Sequence, residues 1–330
     1  MIKSIPTVGD IVRAAEILDG IAVKTPLANS AILDKRTGRR IFLKLESHQH
    51  TGSFKFRGAY NRLAQLSDRE KRQGVVAYSS GNHAQAVAYA ARLLGVPATI
   101  VMPRDAPQAK LDGTRNCGAE VILYERSTEI REEIAADLAR DQGRVLVPPY
   151  EDAAVIAGQG TAALEIIDDI RDLGEDLDAA FICCGGGGLT AGCALAFEAR
   201  SPTVAVFTVE PEGFDDTARS LKAKQRVRND SDARSICDAL LAPMPGELTF
   251  SLNVARVTAG ISVSDAEVQH AVAFAFRFLN VTLEPGGAVA LAAALAGKIP
   301  AQHRSVALMC SGANIDANVL QECLAKFPDP

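Results

Sequence analysis

The sequence predicts an α/β protein built on parallel sheets with helices on both faces. Short apolar runs rich in Val, Ile and Ala alternate with longer helical stretches along most of the 330 residues. Strands separated by helices are joined as parallel crossovers. Glycine- and serine-rich junctions stand at the ends of several runs, where open parallel sheets bind ligands. With 48% hydrophobic and 23% charged residues the chain can bury a substantial core, and its length suggests about two domains.

The elements follow in order. A helix over 7–18, with Thr7 as N-cap, precedes a strand over 41–46. A further helix is expected to start near Lys55. Strands are then predicted at 74–78, 98–102, 120–124 and 144–147, separated by helices at 82–94, 106–116 and 128–142. This repeat is self-contained, so a small domain, 71–150, is expected to be inserted in a large one, 1–70 and 151–330. Pro148-Pro149-Tyr150 is the natural return point. The rest reads as helix 153–173, strand 179–184, helix 189–200, strand 203–210, helix 264–278, helix 286–295, strand 306–310 and helix 316–326. Ser264 and Glu267 have the spacing of a capping box.

Composition excludes several function classes. The net charge is −5 and the pI about 5.6, which argues against nucleic acid as the main partner and against a basic membrane-surface patch. No signal-peptide core follows Met1, and no run reaches the ~20 apolar residues of a membrane span. The seven cysteines are an odd set without CxxC pairs or Cys/His clusters, as expected of a reduced cytoplasmic protein with buried thiols.

Six segments carry candidate chemistry. In Thr51-Gly52-Ser53-Phe54-Lys55-Phe56-Arg57-Gly58-Ala59 a lysine stands between two phenylalanines at a helix start. Desolvation and the helix N-terminus both disfavour its ammonium, and a neutral lysine is a nucleophile toward carbonyls. The same residues also suit a helix start with a lysine stretched along the surface. Gly185-Gly186-Gly187-Gly188-Leu189 joins a buried strand to a helix, so its backbone N–H groups can converge on a phosphate. Ser79-Ser80-Gly81-Asn82-His83 ends a strand and opens a helix; it suits a carboxylate, or serves only as a cap through Ser79 or Ser80. Ser311-Gly312-Ala313-Asn314 places a hydroxyl at the end of the last strand, and Glu284-Pro285-Gly286-Gly287-Ala288 opens an Ala-rich helix. Glu210-Pro211 with Asp215-Asp216 could hold Mg²⁺ or Ca²⁺, or merely favour a helix dipole.

Together these segments resemble the fold-type II pyridoxal-phosphate enzymes, in the serine/threonine dehydratase and serine racemase family that includes 3-hydroxyaspartate dehydratases. The resemblance covers nearly the whole chain, with the segments in the family's order. It implies two open, twisted, mostly parallel sheets flanked by helices, and a homodimer. Lys55 would be the Schiff-base lysine and Phe54 would flank the cofactor ring. Asn82 would bond the cofactor's phenolic oxygen. Gly185, Gly186, Gly187, Gly188 and Leu189 would hold its phosphate, Ser311 its ring nitrogen, and Glu284 would join the cofactor-binding set. Ser79, Ser80, Gly81, Asn82 and His83 would bind the substrate carboxylate. Ser80 would also be the acid/base on the face opposite Lys55. Arg131 would approach the second carboxylate of a dicarboxylate substrate, or else lie on a solvated helix face. Glu210, Asp216 and the Phe214 carbonyl match a divalent-cation site for Mg²⁺, Ca²⁺ or Mn²⁺.

Two departures accompany the resemblance. Cys237-Asp238-Ala239 stands where the family commonly has Ala-Asp-Gly. The sequence ends at Pro330 without the regulatory domain of long biosynthetic threonine dehydratases, so feedback through such a domain is not expected. The resemblance implies β-elimination from L-serine, L-threonine or 3-hydroxyaspartate to a 2-oxo acid and ammonia. The alternatives are a serine racemase with side dehydratase activity and a non-catalytic module binding pyridoxal phosphate or another phosphate. His83, where cysteine synthases usually carry Thr, argues against β-replacement.

Overall fold

A computed structural model describes residues 5–79, 81–106 and 108–327. The chain enters through α1 (Val8–Leu18), whose Ile11, Ala14 and Leu18 recur on one face and are buried. β1 (Leu27–Asn29), α2 (Ala31–Thr37) and β2 (Arg40–Leu45) begin the larger sheet, and α3 (Lys55–Ala64) and α4 (Asp68–Gln73) lead away from it. The second sheet takes all its strands from the next stretch: β3 (Val75–Tyr78), α5 (Asn82–Leu94), β4 (Ala98–Pro103), α6 (Gln108–Asn116), β5 (Glu120–Tyr124), α7 (Arg131–Gln142) and β6 (Val145–Leu146). The chain returns through α8 (Ala153–Asp172), β7 (Ala179–Cys183), α9 (Gly188–Arg200), β8 (Ala205–Pro211), α10 (Asp216–Ala223) and α11 (Glu247–Asn253). It closes with β9 (Ala259–Val263), α12 (Asp265–Phe278), α13 (Pro285–Leu295), β10 (Ser305–Cys310) and α14 (Ala317–Lys326).

The six-stranded sheet has the order β1-β2-β10-β7-β8-β9, and the four-stranded sheet β5-β4-β3-β6. Every pairing is parallel except β1 with β2 at one edge. From β7 the chain proceeds outward to β8 and β9, whereas β10 inserts on the other side of β7. Such a reversal opens a crevice at the carboxyl ends of β7 and β10, where parallel sheets bind ligands. α9 and α13 are almost wholly buried. Their many Ala and Gly residues let them lie close between sheet and neighbouring helices. Among the described residues no helix is long and apolar enough to cross a membrane.

A buried ion network lies under α3. Arg57 donates to both carboxylate oxygens of Glu46 at 2.7 and 2.8 Å, and to both of Glu165 at 2.6 and 2.8 Å. Lys44 donates to Glu165 at 2.6 Å and to the Thr25 carbonyl at 2.7 Å. Arg57 is only 1% exposed and Glu46 and Lys44 are 0% exposed, so each charge depends on its partners.

The predicted elements shift in places. α7 begins at Arg131 rather than 128, because Thr128 and Glu129 donate to the Glu125 carbonyl in a turn and Ile130 is extended. The N-cap of α5 is Gly81 rather than Ser79, whose Oγ instead accepts the Gly81 N–H at 3.2 Å; the alternative cap, Ser80, lies outside the described residues. β1, β9, α2, α4, α10 and α11 have no counterpart in the sequence reading. The capping box of Ser264 and Glu267 is present, with the Ser264 N–H donating to Glu267 at 2.7 Å.

Candidate active site

The lysine segment is stitched to the end of β10. Ser53 bridges Gly312, the Phe54 N–H donates to the Ser311 carbonyl at 3.1 Å, and the Ala313 N–H donates to the Gly52 carbonyl at 2.9 Å. The turn that allows this carries φ 59° at Thr51 and 72° at Gly52. A Cβ on Gly52 would fall 2.7 Å from Asn314 Oδ1, so glycine is required there twice over. Lys55 is thereby placed at the first turn of α3, in the crevice. Its Nζ lies 5.2 Å from the centre of the Phe54 ring and donates to the Pro149 carbonyl at 2.9 Å. Burial brings its pKa down to about 8, against the opposing pull of Cys183 and Glu284.

The glycine loop runs from the end of β7 into α9. Thr249 Oγ1 donates to the Gly186 carbonyl at 2.6 Å and Asn253 Nδ2 to that of Gly187 at 3.3 Å, which orients the loop's peptides. Among the described residues no acceptor takes the N–H groups of Gly185, Gly186, Gly187, Gly188 or Leu189. Donors left open at a helix N-terminus suit a phosphate. A Cβ on Gly186 would lie 2.3 Å from Tyr150 ring carbons. The aromatic ring therefore closes one side of the cradle and demands glycine.

The loop after β3 supplies the opposite wall. Asn82 Nδ2 donates to Glu284 at 2.6 Å and its Oδ1 accepts from Asn314 at 2.7 Å, which fixes the amide's orientation. His83 is buried, with Nε2 at 2.9 Å from the Val147 carbonyl and Nδ1 without a partner among the described residues. Burial and the Lys55 charge push its pKa down to about 3. The ring is neutral, so Nε2–H donates to Val147 and Nδ1 keeps a free lone pair. Ser80 lies outside the described residues; Ser79 and Gly81 flank it at the strand end. Arg131 opens α7, with its guanidinium 5.5 Å from the Tyr78 ring centre and 2.9 Å from Glu132. It stands beside the strand that feeds the loop, but its charge is already shared with Glu132.

Ser311 is buried at the end of β10, beside the Cys183 thiol. Burial raises that thiol to about 11, so it is no competing nucleophile at neutral pH. Glu284, buried at the N-cap of α13, has its carboxyl pushed up to about 8 by burial and by Asp238. Farther along, Glu210 at the end of β8 accepts the N–H groups of Thr217 and Ala218, each at 2.8 Å. Asp216 accepts from Asn229 at 2.6 Å on one oxygen, while its buried Oδ2 has no partner among the described residues. No group of three or more His, Cys, Asp or Glu side chains that could hold a metal ion occurs among the described residues.

Lys55, Phe54, the glycine loop, Asn82, His83, Glu284 and Ser311 thus meet around one crevice. Sequence reasoning missed the strap between β6 and α8 that completes it. Val147 holds His83, Pro149 holds Lys55, and Tyr150 packs on Gly186. Glu151 accepts the N–H groups of Leu248 and Thr249, steadying α11 against the loop. The paired prolines were the available signal, since they fix an extended path.

A lysine with a destabilised ammonium opposite a cradle of open N–H donors has the chemistry to receive an aldehyde that carries a phosphate. A family profile described as pyridoxal-phosphate dependent enzyme matches residues 18–311, and the chain belongs to that family. It is 43% identical over 307 residues to an L-threo-3-hydroxyaspartate ammonia-lyase from a Pseudomonas species, covering 93% of this chain and 95% of that one. It is 38% identical over 312 residues to a serine racemase from Schizosaccharomyces pombe, covering 94% and 95%. The structure of maize serine racemase superposes with a TM-score of 0.91 at 34% identity, covering 98% of both chains. The expected family and its α/β fold are confirmed.

Proposed function

We propose that this protein is an ammonia-lyase that converts a β-hydroxy amino acid (serine, threonine or 3-hydroxyaspartate) to a 2-oxo acid and ammonia. The observation that carries the reading is the pairing of Lys55 with the open N–H groups of Gly185, Gly186, Gly187, Gly188 and Leu189. Ammonia-lyases among the similar proteins support the reaction type.

Pyridoxal phosphate, when bound, supplies an electron sink for the pair released as the α-C–H bond breaks. Lys55 would hold its aldehyde carbon, and the glycine loop its phosphate. Phe54 would lie against its ring, with Asn82, Glu284 and Ser311 as polar partners. Lys55 Nζ, once not engaged with the cofactor, would take the α-proton; a pKa near 8 suits a base at neutral pH. Ser79, Gly81, Asn82 and His83 would seat the substrate carboxylate together with Ser80. The β-C–O bond would then break, and the proton taken by Lys55 Nζ would pass to the departing oxygen so that it leaves as water. The released enamine takes up water and gives the 2-oxo acid and ammonia.

Serine racemases among the similar proteins favour one second reading, in which Ser80 is the base on the face opposite Lys55. Ser80→Ala would then abolish racemisation and leave elimination from the L-substrate, which needs Lys55 alone. Racemisation that persists unchanged removes Ser80 from that role.

The oxygen set of Glu210, Asp216 and the Phe214 carbonyl suits Mg²⁺, Ca²⁺ or Mn²⁺. An unpartnered Asp216 Oδ2 in the interior supports a cation there. Two carboxylates and a carbonyl would leave the remaining positions to water. The seven free cysteines support a reduced, cytoplasmic setting, and we assign a homodimer with the family.

The test is a panel of serine, threonine and 3-hydroxyaspartate stereoisomers, scored for 2-oxo acid and ammonia with and without EDTA. Lys55→Ala should abolish turnover and the cofactor's visible absorbance. Turnover that survives this substitution overturns the assignment.

A further inference from the structure

A lysine that the sequence reading passed over stands at the mouth of the crevice. Lys110 lies on α6, on the side of the four-stranded sheet, and its Nζ reaches across to Asp238 Oδ2 at 2.9 Å. Asp238 begins a short 3-10 turn, Asp238–Leu240, that borders the cofactor site on two sides. Leu240 Cα would be 3.1 Å from a Cβ on Gly185, and Ala239 Cβ would be 3.2 Å from one on Gly286. The ion pair therefore bridges the two halves of the molecule directly over the glycine loop and the start of α13.

The two partners are unequally placed. The Lys110 side chain is 12% exposed and that of Asp238 is 58% exposed. The carboxylates of Asp316 and Glu284 also face the lysine, and Glu284 binds the Asn82 amide inside the crevice. Lys110 is thus a sheltered cation held next to the site, and its direct partner can return to water at little cost. A carboxylate arriving from inside the crevice would exchange with Asp238 without leaving any charge buried and unpaired. Arg131 is less free to do this, because its guanidinium is shared with Glu132 and stacked on Tyr78.

We propose that Lys110 determines substrate specificity by exchanging Asp238 for the distal carboxylate of a dicarboxylate substrate. This rests on the ammonia-lyase reading and selects 3-hydroxyaspartate over serine and threonine, which have no second carboxylate. Asp238 acts as the placeholder that keeps the lysine neutralised and oriented when the site is empty. Lys110 binds substrate and moves no proton.

The experiment compares kcat/KM on 3-hydroxyaspartate and on serine for the holoenzyme and for Lys110→Gln, Lys110→Arg and Asp238→Asn. A charge-assisted hydrogen bond lost on one substrate only should lower the 3-hydroxyaspartate-to-serine ratio about 10- to 100-fold in Lys110→Gln, mainly through KM. Lys110→Arg should restore much of the ratio, and Asp238→Asn, which removes the competitor, should raise it. Binding gives a second readout: calorimetry with succinate against butyrate should show a preference for succinate that Lys110→Gln removes. A ratio and a succinate preference that do not change in Lys110→Gln overturn the proposal. If that variant fails to fold, an unchanged or lowered ratio in Asp238→Asn does so. Absence of 2-oxo acid from every substrate would instead refute the ammonia-lyase reading, and the succinate titration would still decide the role of Lys110.

Discussion

Replacing Arg57 by leucine tests whether the ion network under α3 holds the lysine helix in place. Arg57 donates to Glu46, Glu165, the Thr161 hydroxyl and the Val23 carbonyl, and is 1% exposed. Leucine fills part of the volume but strands Glu46, which is 0% exposed, with Thr25 at 2.6 Å as its remaining side-chain hydrogen bond. Breaking a buried pair from one side costs about 3–5 kcal/mol. Lys44 stays nearby and attracts Glu46, so the lower half of that range is expected. Against a total of about 5–15 kcal/mol this is a large loss. The assay is the urea midpoint of the holoenzyme, with the cofactor's absorbance followed in parallel.

Glu46→Gln added to Arg57→Leu should recover about 1–3 kcal/mol of the loss, since the stranded charge is gone. The pH dependence has a definite sign. Despite its burial, Arg57 and Lys44 hold the Glu46 carboxyl below its ordinary 4.5. The pair's contribution is therefore complete above about pH 4.5 and is lost as pH falls through the lowered value. In Arg57→Leu burial acts on Glu46 with less opposition, so acidification toward pH 4.5 should narrow the gap to wild type. A loss below about 1 kcal/mol, or a double variant no more stable than Arg57→Leu, would refute this account.

Three further outcomes are expected. Lys55 becomes neutral as pH rises through about 8, so capture of pyridoxal phosphate by cofactor-free protein should quicken about tenfold per pH unit below 8 and level off above it. A rate that keeps climbing toward pH 10.5 would mean an ordinary surface lysine. Gly186→Ala puts a Cβ 2.3 Å from the Tyr150 ring and should weaken cofactor retention roughly 10- to 100-fold, with partial recovery when Tyr150→Ala is added; equilibrium dialysis reads both. Magnesium should raise the thermal midpoint of the wild type and not that of Asp216→Asn, and equal shifts in the two proteins would remove Asp216 from the cation site.

The sequence disclosed those features whose cause is local. Strands such as β4 and β7 are runs of residues buried on both faces, and their apolarity is continuous. Four consecutive glycines between a buried strand and a helix marked a loop of exposed backbone N–H groups, open to an anion or to a plain flexible turn. β1 and β9 were missed because their half-exposed edge positions carry no such run, with Leu27–Asn29 only three residues long and Ala259–Val263 rich in small residues. Ser79 does not cap α5 for a conformational reason: Gly81 takes the cap position, which leaves Ser79 Oγ to bind the Gly81 N–H.

What sets the environment of Lys55 is mostly not local. Its depressed pKa comes from burial in the crevice between strap, loop and strand ends, and its Nζ is aimed by the carbonyl of Pro149. The same strap supplies the acceptor that fixes the His83 tautomer and the ring that makes Gly186 obligatory. Beyond the extended path that its two prolines impose, Val147-Pro148-Pro149-Tyr150 read alone indicates none of this, because each interaction is with a residue distant in sequence. Arg57 is similar. Two positions from the reactive lysine, it reads as part of a polar helix face, yet it is among the largest fully buried side chains in the protein. The motif around Lys55 therefore encodes two things on one helix turn, the proposed nucleophile facing the crevice and an ion-paired anchor facing away from it. Only the second of these should govern stability, and that separation is what Arg57→Leu and Lys55→Ala can resolve in the same pair of assays.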